Sequence, residues 1–158
     1  ASNENPLGAS EKVKTALVSA VDELTRYPDG SGFALKKALS EKLKVEPQQI
    51  TLGNGSNDVL DLIARATIEG EAEGIISEHS FVVYGLSIKY AGGRTVVVPA
   101  LNYRCDLQAM SRAVTDKTRV IYIANPNNPT GTWVTNQELT RFLDSVPSVT
   151  PGKCRSNP

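Results

Sequence analysis

At 158 residues the chain is long enough for one domain with a buried core, and 17 Lys+Arg balance 17 Asp+Glu. Such a balance argues against the basic stripe of a nucleic-acid binder and against an acidic solvating tail; 40% hydrophobic and 22% charged residues are ordinary for a globular protein. Apolar runs no longer than a strand, such as Thr95-Val96-Val97-Val98, exclude a bilayer-spanning helix. Two cysteines, Cys105 and Cys154, make neither a disulfide framework nor a metal cluster, so a reduced, cytoplasmic protein is expected. The chain opens Ala1-Ser2-Asn3 with no initiator Met and no signal-peptide pattern, which hints at a fragment.

In chain order, Ser10 can cap a helix running to about Thr25, with Val13, Leu17, Val21 and Leu24 on one apolar face. The turn Tyr27-Pro28-Asp29-Gly30-Ser31-Gly32 breaks it, and a second amphipathic helix follows through Phe33, Leu35, Leu39 and Leu43. Ile50-Thr51-Leu52 reads as a short strand ended by Gly53-Asn54-Gly55. Helical spacing returns with Val59, Leu60, Ile63 and Ala66. From there strands are expected at residues 74–76, 95–98 and 120–124, alternating with helices at residues 81–90 and 106–114. Thr135 and Glu138 form a capping box for a last helix ending near Val146. Strands alternating with helices predict an α/β architecture, an incomplete three-layer sandwich with a mostly parallel sheet and helices on both faces.

Two loops carry candidate chemistry. Leu52-Gly53-Asn54-Gly55-Ser56-Asn57-Asp58 turns a strand into a helix, where glycines allow close backbone approach and the helix N-terminus favours an anion. It is no dinucleotide fingerprint, since Asp58 stands where the third glycine belongs, and no Gly-Lys-Ser/Thr follows to make a P-loop. A tight turn with a Ser or Asn helix cap explains the glycines equally well; as a ligand, a single phosphate fits best. The second loop, Asn125-Pro126-Asn127-Asn128-Pro129-Thr130-Gly131, follows an apolar strand, at the strand end where open α/β sheets bind ligands. His79 has no Ser, Cys or metal-ligand partner at a useful spacing and reads as non-catalytic.

The Asn-Pro loop resembles that of fold type I aminotransferases of class I/II, which depend on pyridoxal 5'-phosphate. The resemblance implies that Asn128 contacts the cofactor's 3-hydroxyl, that Gly55, Ser56 and Asn57 form its phosphate cup, and that Phe81, in His79-Ser80-Phe81-Val82-Val83-Tyr84, stacks on its ring. His79-Ser80 departs from the Pro-Thr often found there. Ser2-Asn3-Glu4-Asn5-Pro6-Leu7-Gly8 and Arg26-Tyr27-Pro28-Asp29 resemble the histidinol-phosphate branch, in which Tyr27 would reach the cofactor phosphate of a homodimer partner.

By that resemblance, residues 1–32 are an N-terminal arm and first helix, and residues 33–146 part of the cofactor-binding large domain. Residues 147–158, with three prolines and no period, are expected to be an aberrant, disordered tail that reads as a frameshift or splice error. The implied activity is amino transfer between histidinol phosphate, an amino-phosphate substrate, and 2-oxoglutarate, a 2-oxo acid. The family's Schiff-base lysine sits in a Ser-x-x-Lys segment, and this sequence has none. The catalytic lysine is therefore expected beyond the chain end, and the chain alone to be inactive. The rival readings are a catalytically inactive truncated product and a fragment of a related decarboxylase acting on amino-acid phosphates.

Overall fold

The computed structural model describes residues 4–147. The motif residues Ser2 and Asn3, Cys154 and the expected tail, apart from Pro147, lie outside the described residues. The chain divides into two compact units, Ala1–Ile50 and Thr51–Pro158.

In the first unit, Ser10 caps α1 (Glu11–Ala20) by accepting from the Val13 amide, and a 3-10 turn at Val21–Glu23 continues it. The expected helix is therefore present, its last turn tightened. Its apolar stripe is exposed at Val13, Leu17, Val21 and Leu24. Asp29 organises the following turn: its carboxylate accepts from the Ser31 hydroxyl at 2.7 Å and from the Phe33 amide at 2.8 Å. That second bond satisfies an otherwise orphaned amide at the start of α2 (Phe33–Leu43).

The second unit is built on a parallel sheet of order β2-β1-β3, with β1 (Glu73–Ser77) between β2 (Arg94–Val98) and β3 (Thr118–Ile121). α3 (Ser56–Thr67) and α4 (Val82–Tyr90) cover one face. Ala64, Ile68, Tyr84 and Ile88 pack there against Val120 and Tyr122. α5 (Leu107–Arg112) and α6 (Asn136–Ser145) supply the other core, where Met110 and Phe142 meet Ile75, Val98 and Cys105. Alternation along β1 sends Ile75 to the second core and Ile76 to the first. Gly74 faces the first core too, so closely that an added Cβ would lie 2.4 Å from Ile88 Cδ1. Ile75, Ile88 and Met110 are fully buried; burial of each such side chain stabilises the unit by about 1.5–3 kcal/mol. At the amino ends of the strands, Glu73 is buried and bonded to Arg94 and to the Thr115 hydroxyl. The Arg94 guanidinium holds its carboxyl below the ordinary range, with Thr115 helping.

The expected α/β sandwich with helices on both faces is thus observed. Two local expectations need correction. Ile50-Thr51-Leu52 is no strand: Ile50 is extended but joins no ladder among the described residues, its amide bonding back to Pro47. β3 begins and ends earlier than residues 120–124: it pairs with β1 from Thr118 to Ile121, and the Tyr122 amide then bonds the Ile75 carbonyl.

Candidate functional site

α3 starts where Gly55 permits. Its φ of 87° and ψ of 178° suit glycine almost alone, and no side chain caps the helix. The side chains of Ser56 and Asn57 are exposed and make no hydrogen bond among the described residues, so the first-turn amides and the Ser56 hydroxyl are free to meet an anion. Asp58 is turned backwards, accepting from the Asn54 amide at 3.0 Å. Gly53 lies against this arrangement, where an added Cβ would sit 2.9 Å from Asp58 Cβ.

The chain crosses from the end of α3 to the start of β1 in a short turn, so α3 runs back along the sheet. At 12 residues it is roughly 18 Å long, enough to carry its N-terminus to the carboxyl ends of the strands. Tyr122, directly after β3, fixes this arrangement by donating its hydroxyl to the Leu60 carbonyl at 2.7 Å. Burial pushes the Tyr122 phenol up to about 12, with Asp61 and Tyr84 adding to it, so it remains a donor. Its ring stacks on Tyr84, centroids 5.0 Å apart.

The loop after β1 also emerges at this end. Phe81 is half-buried at the N-cap of α4, edge-on to Tyr84 at 5.8 Å. His79 is exposed and stacks on Tyr103 at 5.1 Å. The loop after β3 brings the three asparagines. Asn125 clamps the returning chain ahead of α6, donating to the Val134 carbonyl and accepting from the Val134 amide, both at 3.0 Å. Asn127 is buried and donates to the His79 carbonyl and to Thr130 Oγ1, each at 2.7 Å. The side chain of Asn128 is half-buried and makes no hydrogen bond among the described residues. A carboxamide in that state suits a ligand's hydroxyl.

Gly55, Ser56, Asn57, Phe81 and Asn128 therefore occupy three segments at the carboxyl end of one parallel sheet. Tyr27 belongs to the first unit, where it is fully exposed and its hydroxyl meets no partner among the described residues. Sequence reasoning missed Tyr122, Asn125 and Asn127. Three asparagines within one short loop were the available signal, since each amide needs partners. The second unit also has an open groove of 630 Å³ on the α5 and α6 side, bordered by Arg112, Arg141 and Ser145 and away from these residues. Among the described residues no cluster of His, Cys, Asp or Glu could hold a metal, and no helix is long and apolar enough to cross a membrane.

A parallel α/β sheet with a glycine-initiated helix and an Asn-Pro loop at the same end defines a class, and comparison identifies it. The chain belongs to the aminotransferase class I and II family, whose model matches residues 1–149. Within it, the chain is 56% identical over 147 residues to histidinol-phosphate aminotransferase 1 of Idiomarina loihiensis, covering 93% of this chain and 40% of that protein. It is 52% identical over 147 residues to the histidinol-phosphate aminotransferase of Stutzerimonas stutzeri, with the same coverage. The crystal structure of histidinol-phosphate aminotransferase from Sinorhizobium meliloti in complex with pyridoxal-5'-phosphate superposes with a TM-score of 0.87 at 30% identity, over 92% of this chain and 40% of that one. The chain thus spans about 40% of the length of these relatives.

Proposed function

We propose that this chain supplies the phosphate cup, ring stack and 3-hydroxyl contact of a pyridoxal-phosphate-dependent aminotransferase that moves an amino group between histidinol phosphate and 2-oxoglutarate. The observation that carries the reading is an uncapped helix N-terminus, opened by Gly55, at the same sheet end as the unpartnered amide of Asn128. Both are unmet hydrogen-bonding groups of the kind that a phosphorylated, hydroxylated aromatic ring would satisfy. The names of the relatives point to histidinol phosphate; 2-oxoglutarate is the 2-oxo acid inferred as its amino acceptor. Ser56, Asn57 and the first-turn amides would hold the phosphate, aided by the helix dipole. Phe81 would cover one side of the ring and exclude water from it, and Asn128 would orient the ring through the 3-hydroxyl. Bound there, pyridoxal phosphate supplies an electron sink for breaking a bond at the substrate's α-carbon. Tyr27, exposed beyond the Asp29 turn, would donate to the cofactor phosphate of a partner subunit in a homodimer. None of the nine lysines lies in a Ser-x-x-Lys segment, so the amine that holds the cofactor is not assigned to these 158 residues.

The test is direct. The complete gene product, given pyridoxal phosphate, histidinol phosphate and 2-oxoglutarate, should form glutamate. Ser56→Ala and Asn128→Ala should each weaken cofactor binding by about 10-fold or more, the effect of losing one hydrogen bond to a charged group. A 158-residue polypeptide on its own should show no single lysine labelled by borohydride reduction with the cofactor and no turnover above that of free cofactor. A complete gene product that binds no pyridoxal phosphate, or forms no glutamate, would overturn the assignment.

A further inference from the structure

We propose that Asn127 is a positioning residue whose buried carboxamide locks the turn carrying Phe81 to the loop carrying Asn128. The inference rests on the cofactor reading above and adds a residue to it. Asn127 is 5% exposed, and its Nδ2 donates to the carbonyl of His79, two residues before Phe81, and to Thr130 Oγ1. The backbone on either side is pinned as well: the Asn127 amide donates to the Thr132 carbonyl at 2.6 Å, and the Gly131 amide donates to the Asn127 carbonyl at 2.8 Å. Asn128 is covalently next to this anchor.

The orientation of the amide is fixed by chemistry. The His79 carbonyl only accepts, so a flipped carboxamide would set two acceptor oxygens against each other at 2.7 Å. Holding Nδ2 there leaves Oδ1 buried with no hydrogen-bond partner, the one such side-chain atom among the described residues. The tie spans 48 residues of sequence and joins the loops that follow β1 and β3. The ring stack and the 3-hydroxyl contact therefore keep one fixed separation, whereas the phosphate cup on α3 has a polar tie of its own, from Tyr122 to the Leu60 carbonyl, that does not pass through Asn127.

That separation gives the test. In the complete gene product, pyridoxal phosphate and inorganic phosphate are titrated separately by calorimetry. Asn127→Ala should weaken pyridoxal phosphate by about 10-fold or more while inorganic phosphate changes by less than about twofold. In that background Asn128→Ala should cost much less than it does alone, because the contact is already misplaced. Unchanged pyridoxal phosphate affinity overturns the proposal; so does an equal loss for both ligands, which is what a general loss of structure gives. If Asn127→Ala does not fold, Asn127→Leu, which fills similar space with neither donor nor charge, decides on the same criteria. An unaltered protein that binds no pyridoxal phosphate would overturn the cofactor reading itself, an outcome distinct from failure of the Asn127 variants alone.

Discussion

At Gly55 backbone geometry and ligand chemistry coincide. Its φ of 87° with ψ of 178° is barely open to any other residue, although an added Cβ would meet nothing within 4 Å. Gly55→Ala is therefore a test of conformation without a clash. We expect it to destabilise the fold by about 1–3 kcal/mol and to turn the first amides of α3 away from their common focus. Thermal unfolding should register the first effect. Phosphate and pyridoxal phosphate titrations should register the second as parallel losses, unlike the split expected for Asn127→Ala. Cys105 illustrates the opposite kind of residue. It is buried, and burial raises its thiol above the ordinary range despite a bond to Ser77, so it serves as packing between Met110 and β2.

The elements differ in how far they were legible. α1 and α6 were readable because their signals are local: Ser10 bonds the amide of Val13, and Thr135 and Glu138 cap each other three residues apart. Arg104 was not readable, since it reaches Glu138 across 34 residues at 2.6 Å while also donating to the Trp133 carbonyl. Ile50-Thr51-Leu52 carries strand-like residues, but a strand exists only with a partner, and no sequence pattern states one. The glycine turn and the Asn-Pro loop could be found from the local order of their residues. Their working partners could not, because Asn127 meets His79 and Tyr122 meets Leu60, 48 and 62 residues away. The capping box of α6 also has a pH signature. The Thr135 amide and hydroxyl, then Arg104, lower the Glu138 carboxyl from 4.5 to about 2. A depressed carboxyl contributes stability that is complete above its unfolded value and lost as pH falls through its folded one. Stability should therefore drop between about pH 4.5 and about pH 2, and Glu138→Gln should flatten that part of the profile. Denaturation midpoints measured across the window would check it; an unchanged slope would rule the carboxylate out as a source.

For the whole molecule, surface left uncovered is as informative as the core. In the first unit Leu17 is 64% and Leu24 77% exposed, along the stripe that made α1 recognisable. Replacing both with Lys should shift unfolding free energy by no more than about 0.5 kcal/mol per site, the usual range for surface substitutions. It should also lower the binding of an apolar dye to the 158-residue polypeptide. A large loss of stability would mean that the stripe is covered. In the second unit, the order β2-β1-β3 has a temporal side. β1 is the first of these strands to be synthesised and becomes the middle one; β2 and β3 then join its two free edges in turn. No later strand has to part a pair already formed. At about 5–20 residues per second, on the order of seconds separates Ser77 from Ile121 at the ribosome. The sheet can thus assemble outward at the pace of translation, with each new strand finding its template already waiting.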